Sequence, residues 1–296
     1  MDIEKFYYSG DRTFDIKKFN TKQSGEFKNK EEAEEQHAAQ SHLLHMEEMQ
    51  DKFYAENKEG LLIIIQAMDA AGKDGAIKHV MSGMNPQGID VYNFKKPSLE
   101  EMDHDYLWRA MQVIPERGKI AIFNRSYYED VLIGKVHNLY KNSDLPDRCK
   151  TDNIFEERYQ QINNYEKYLY DNGIRVIKFF LDISKEEQKN SFLERFDAAD
   201  KNWKFSDYDM VERDYWDDYQ KAYSDAINAT ATSHCPWYVI PADRKWYARL
   251  IISEVIIKTF EKIDPKYPDV SEERKDKLLE FRRKLLNGEK SAPKEE

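Results

Sequence analysis

The most constraining feature of the chain is a continuous apolar run, Leu61-Leu62-Ile63-Ile64-Ile65, that passes directly into Gln66-Ala67-Met68-Asp69-Ala70-Ala71-Gly72-Lys73-Asp74-Gly75. An uninterrupted run of branched aliphatic residues, without polar alternation, is what a parallel strand buried on both faces requires. A strand of that kind followed by a glycine-lysine loop and a helical pattern is a context in which backbone N–H groups cradle phosphate oxygens. The loop departs from the strict pattern G-x-x-x-x-G-K-[ST]: Ala67 stands for the first glycine and Asp74 for the hydroxyl residue.

Further strands are expected at Ile89 to Phe94, Lys119 to Phe123, Ile174 to Leu181 and Trp237 to Ile240, separated by helical patterns. Strands alternating with helices define an α/β chain with a mostly parallel central sheet and helices on both faces. Helices are expected near Asp74 to Ser82, Ser98 to Ile114, Ser126 to Val136, Asn153 to Asn172, Ser184 to Phe196, Ser206 to Asn228 and Ala242 to Lys262. Ahead of the first strand, Leu43, Met46, Met49 and Phe53 recur at helical spacing in a segment without Pro or Gly, which predicts one long helix from Lys30 to about Asn57. Residues 1–29 lack a period and read as an extended arm over an α/β domain of residues 30–263; residues 264–296 read as a charged helix and a frayed tail.

Composition narrows the functional classes. At 296 residues and 40% hydrophobic content the chain can bury a full core, so its 34% of charged residues belong to a surface. A net charge of -10 argues against a general nucleic-acid binder, because affinity for a phosphate backbone needs a surplus of Lys and Arg. A polyanionic substrate would need a local basic groove. No apolar run approaches membrane-spanning length, and Asp2, Glu4 and Lys5 stand where a signal peptide needs apolar residues, so no membrane contact and a cytoplasmic location are expected. Cys149 and Cys235 lack metal-ligand spacing.

Three blocks carry candidate chemistry. In the first, Ala71, Gly72, Lys73, Asp74 and Gly75 would surround phosphates; Lys73 would neutralise the transferred group, and Asp69 is placed to hold Mg2+ directly or through water. The second, Phe123-Asn124-Arg125-Ser126-Tyr127-Tyr128-Glu129-Asp130, follows a strand, where P-loop enzymes place an acidic metal ligand. Here that residue is Asn124, an oxygen donor without charge, and Arg125 could clamp phosphates. The same block also reads as a helix start, with Asn124 or Ser126 as cap and Glu129-Asp130 answering the helix dipole. The third block, Arg195 to Ser206, is a basic break between two helical patterns and suits a lid over residues 195–223, with Arg195, Lys201 and Lys204 reaching phosphates. Its alternative is a solvated loop. Phe205, Tyr208, Val211, Tyr215 and Tyr219 follow at helical spacing and read as core or lid packing.

In this order, the blocks resemble the family-2 polyphosphate kinases from about Lys30 to Lys262. Gln66 to Gly75, Met84-Asn85-Pro86-Gln87-Gly88, Phe94-Lys95-Lys96-Pro97-Ser98, Asp103 to Arg109, Pro115-Glu116-Arg117-Gly118 and Phe123 to Asp130 carry the likeness. So do Trp203-Lys204-Phe205-Ser206 with Asp209 and Trp216, Pro236-Trp237 and Pro241-Ala242-Asp243. The resemblance implies a P-loop kinase-like three-layer core with a helical lid, Mg2+ dependence, a homo-oligomer (dimer or tetramer), and reversible transfer between polyphosphate and nucleotides. Asp69, Lys73 and Arg125 are then the expected catalytic residues, Asp69 and Asn124 the metal ligands, and Asn85, Arg117, Asn124, Tyr128 and Glu129 the nucleotide side. The Asn-Arg-Ser-Tyr-Tyr-Glu form resembles the branch that phosphorylates both AMP and ADP, forming ADP and ATP. Many relatives carry Asp where Asn124 stands, which changes the metal shell. The competing readings are an ATP-dependent nucleoside or nucleotide kinase and a P-loop protein that binds nucleotide without turnover.

Overall fold

A computed structural model describes residues 1–37, 39–198 and 207–288. Six strands form one sheet: β1 (Tyr7–Tyr8), β2 (Gly60–Ala67), β3 (Ile89–Asn93), β4 (Ile120–Asn124), β5 (Ile174–Asp182) and β6 (Trp237–Pro241), in the spatial order β1-β6-β5-β2-β4-β3. All pairings are parallel except that of β1 with β6. Every residue of β2 is buried, as its unbroken apolar sequence requires at the centre of a covered sheet.

The helices among the described residues are α1 (Lys30–His37), α2 (Ala39–Glu56), α3 (Lys73–Met81), α4 (Leu99–Met102), α5 (Trp108–Met111), α6 (Ile133–Val136), α7 (Ile154–Asp171), α8 (Lys185–Asp197), α9 (Asp207–Asp214), α10 (Trp216–Thr230), α11 (Lys245–Ile263) and α12 (Glu272–Leu286). Helices α2, α3 and α11 pack together, and α7 packs with α10 and against β5, so the sheet lies inside a P-loop kinase-like α/β/α sandwich. From β2 the chain moves outward to β3, returns to β4 beside β2, and then crosses to β5 on the other side. The carboxyl end of β2 therefore lies where the strand order reverses, the place where open α/β sheets bind ligands.

The five expected strands agree with β2 to β6 to within two residues at either end, β1 has no counterpart among them, and the helices differ in places, the one expected over Ser206 to Asn228 being α9 and α10. The segment expected as one helix from Lys30 is helical on both sides of residue 38, which lies outside the described residues. The helix expected over Ser98 to Ile114 is two short ones, α4 closed by a Ser98–Glu101 capping box and α5. Ser126 to Val136 is a 3-10 turn over Tyr127–Val131 followed by α6. The aromatic stripe expected to pack lies along α9 and the start of α10 with Tyr208, Val211 and Tyr215 exposed; Phe205 lies outside the described residues.

The N-terminal segment is more than an overlay. Ile3, Phe6, Tyr8, Phe14 and Phe27 are buried in the main core, and β1 covers the free edge of β6. Asn228 receives the Phe14 N–H at 2.7 Å, and Thr21 donates its hydroxyl to Asp243 at 3.1 Å, so the segment is tied to α10 and to the start of the chain's return after β6.

Candidate active site

The loop between β2 and α3 owes its shape to two left-handed residues, Ala70 (φ 65°) and Gly72 (φ 93°). A side chain at position 72 would meet only the Lys245 Cγ at 3.9 Å, so glycine is required there by backbone angle rather than by space. The Gly72 carbonyl accepts the first helical bond, from Ala76 N–H, and α3 begins at Lys73, where first-turn N–H groups have no partner within the helix. Ala71 is buried and Gly75 half-buried behind Arg249, whose Nη2 would lie 3.0 Å from an added Cβ.

Lys73 folds back over this loop, donating to the Ala67 carbonyl at 2.9 Å and the Met68 carbonyl at 3.2 Å. Burial, reinforced by Arg125, pushes its ammonium down to about 8, although Asp69, Glu129 and Asp74 pull the other way. Such a cation is under-neutralised and gains from an anion placed beside it.

Strand β4 brings the second block to the same place. Arg125 has a left-handed backbone (φ 63°) and donates its N–H to Ile65 O of β2 at 3.0 Å. Its Nη2 donates to Asp69 Oδ1 at 2.6 Å and its Nη1 lies 3.7 Å from Glu129 Oε2. Burial opposes the guanidinium charge, and Glu129 and Asp69 more than offset this, so its pKa is held above the ordinary value. Glu129 is fixed in turn by Gln66 Nε2 at 3.1 Å.

Asn124 donates Nδ2 to Asp74 Oδ1 at 3.0 Å and to Asn93 Oδ1 at 2.8 Å. The amide thus holds Asp74, a task that a second carboxylate could perform only through a cation. The donors gathered here are the oxygens of Asp69, Asp74 and Asn124, hard ligands of the type Mg2+ takes. Among the described residues no group of three or more His, Cys, Asp or Glu side chains forms a cage.

Other expected site residues lie elsewhere. Asn85 and Arg117 precede β3 and β4, at the amino ends of the strands, opposite the loop: Asn85 exchanges hydrogen bonds with Gln50 at 2.7 and 2.9 Å, and Arg117 is exposed beside Gly118, which bonds to Glu59. Residues in front of a parallel strand always fall at that end, a signal available in the sequence. Tyr128 is fully buried with its hydroxyl on Glu166 at 2.9 Å, so it faces the core rather than a ligand. Arg195 pairs with Asp209 at 3.5 Å between α8 and α9, while Lys201 and Lys204 lie outside the described residues. A relay absent from the sequence reading links α9 to the loop: Arg213 donates to Gln188 Oε1 at 2.5 Å, and Gln188 Nε2 donates to the Asp69 carbonyl at 3.0 Å. These residues sit in ordinary helical surroundings and carry no local signal.

Fold and site together define a P-loop-type phosphotransferase centre: a phosphate loop at a switch point, a lysine in it, and an arginine opposite. The model of the polyphosphate kinase 2 family matches residues 26–268. The chain is 45% identical to an ADP-polyphosphate phosphotransferase of Rhodopseudomonas palustris, covering 92% of this chain and 94% of that one. It is 40% identical to an AMP/ADP-polyphosphate phosphotransferase of Meiothermus ruber, covering 90% and 96%. The crystal structure of polyphosphate kinase 2 from Arthrobacter aurescens superposes with a TM-score of 0.82 at 35% identity over 93% of each chain. The protein belongs to the polyphosphate kinase 2 family and is a kinase.

Proposed function

We propose that the protein catalyses reversible, Mg2+-dependent phosphoryl transfer between inorganic polyphosphate and adenine nucleotides, forming ADP from AMP and ATP from ADP. The observation that carries the reading is the convergence of Lys73, Asp69 and Arg125 on one loop at the carboxyl end of β2. A lysine and an arginine at a loop that opens a helix supply the charge neutralisation that a polyanion undergoing in-line transfer requires.

Nucleophile and leaving group are both phosphate oxygens of low basicity, so positioning and charge neutralisation suffice and a strong general base is unnecessary. Lys73 would bear on the transferred group, and Arg125 would exchange its Asp69 contact for phosphate. Mg2+, held by Asp69 and by Asp74 steadied through Asn124, would supply charge neutralisation at the phosphate oxygens. The relay from Arg213 through Gln188 to Asp69 gives closure of α9 a route to the loop. Among the described residues no helix is long and apolar enough to cross a membrane, in keeping with a cytoplasmic setting. Self-association into a dimer or tetramer belongs to the same proposal.

The relatives' names divide on the acceptor, one naming ADP and the other AMP and ADP. The test is purified protein with Mg2+ and long-chain polyphosphate, given AMP or ADP separately, with products separated by chromatography. ADP and ATP from AMP are expected. ATP only from ADP would restrict the acceptor, and no product from either would refute the reading.

A further inference from the structure

Beneath the Arg125 block lies a fully buried ion pair. Lys178 of β5 donates Nζ to Glu166 Oε2 of α7 at 2.5 Å, and neither side chain has any exposed surface. Lys178 also donates to Tyr128 Oη at 3.1 Å and to the Thr230 carbonyl at 2.8 Å, which uses all three of its protons. The other Glu166 oxygen accepts the hydroxyls of both Tyr127 and Tyr128, each at 2.9 Å. Thr230 completes the cluster by accepting Trp237 Nε1 at 2.9 Å.

A buried pair of this kind adds little net stability over apolar residues of the same volume, because desolvation consumes most of the attraction. What it supplies is direction. Two adjacent tyrosines must converge on one carboxylate oxygen, and this fixes the rotation of residues 127 and 128 relative to β5 and α7. Arg125 stands just upstream, with Ser126 buried between and capping the turn through Tyr128 N–H at 3.1 Å. The left-handed backbone of Arg125 is strained and persists only if its surroundings impose it. On the outer side of the turn, Arg158 holds Asp130 at 2.7 Å, so the segment is gripped from both faces.

We infer that Lys178 and Glu166 are positioning residues: through the two tyrosine hydroxyls they hold the turn that sets the Arg125 guanidinium beside Asp69 and the phosphate loop. The inference rests on Arg125 acting on phosphate as proposed above.

The test is the double variant Lys178→Met with Glu166→Leu, which removes both charges at once and avoids stranding either. Expected are a melting temperature near that of the parent, KM values for ADP and polyphosphate within about twofold, and kcat lowered roughly ten- to hundredfold, the scale of a misplacement near 1 Å. Introduced into Arg125→Ala, the same pair should cause no further loss, because the effect passes through Arg125. Parental kcat in the folded double variant, or an equal loss in the Arg125→Ala background, overturns the inference. Should the double variant fail to fold, Tyr127→Phe carries the same expectations for KM, kcat and non-additivity, and parental kcat there overturns it equally. Arg125→Ala with parental turnover would instead overturn the reading of the site, and this inference with it.

Discussion

Replacing Asn124 with Asp alters the two contacts its amide donates, to Asp74 and to Asn93, and adds a charge beside the first. In the present chain the amide donates to Asp74 Oδ1 at 3.0 Å; the aspartate would place a second negative charge there and remove the donor. Two unit charges at that separation repel by roughly 1.4 kcal/mol in bulk water and about 5.5 kcal/mol at an effective dielectric constant of 20. Asn124 is half-buried, and side-chain rotation relieves part of the contact, so a loss of about 2–3 kcal/mol is expected. At about 1.6 °C per kcal/mol for a chain of this size, Asn124→Asp should melt about 3–5 °C lower in EDTA. Millimolar Mg2+ should return most of that difference, because a divalent ion between the carboxylates converts repulsion into coordination. Differential scanning fluorimetry of both proteins, with and without Mg2+, reads the effect without reference to turnover. Melting temperatures that coincide in EDTA would refute the placement of Asp74, and an equal Mg2+ shift in both proteins would refute the assignment of the metal to this corner.

Lys73→Met should lower turnover by about two to three orders of magnitude, the scale of a lost charge-stabilising group, and near-parental kcat would remove Lys73 from the chemistry. Because the folded ammonium sits at about 8 against 10.5 when solvated, the parent should gain stability as pH rises through that interval, where only the unfolded chain binds the proton. Urea titrations of Lys73→Met across the same interval should lack that gain; an identical slope in both proteins contradicts it. Asp182, at the end of β5, is pushed up to about 8 by burial and then by Asp243. It stays protonated in the folded state where the unfolded chain has released its proton, so it should cost stability as pH rises from about 4 to 8. Asp182→Asn should flatten that decline in chemical denaturation, and a retained slope would assign the decline to other groups.

The sheet was legible in the sequence wherever a strand is buried on both faces, because burial removes polar residues and leaves runs such as Leu61–Ile65 that have no other use in a soluble chain. The phosphate loop was legible for the related reason that a left-handed turn at Gly72 must be paid for in residue type. Strand β1 left no trace, since Tyr7 and Tyr8 are too few to show alternation. Tyr128 was misplaced because the block around it supports either a helix start or a ligand wall, and only tertiary packing sends its ring inward onto Glu166. Asn85 and Arg117 lie within distinctive segments, yet what makes those segments distinctive is the turn geometry at the amino ends of the strands. Gln188 and Arg213 act on Asp69 across more than a hundred residues of chain, which no local pattern reports.

The N-terminal segment has a consequence for how the molecule is made. Tyr7 and Tyr8 pair with Tyr238 and Trp237, and Phe14 binds Asn228, so during synthesis this segment waits for partners made more than two hundred residues later. Contacts of such sequence separation form late and slowly. Until β6 emerges, Tyr7 and Tyr8 have no strand to pair with, and β6 itself, once made, offers an open edge until the waiting segment closes on it. This segment is therefore the final clasp of the sheet, closing on the β6 rim at the edge opposite β3.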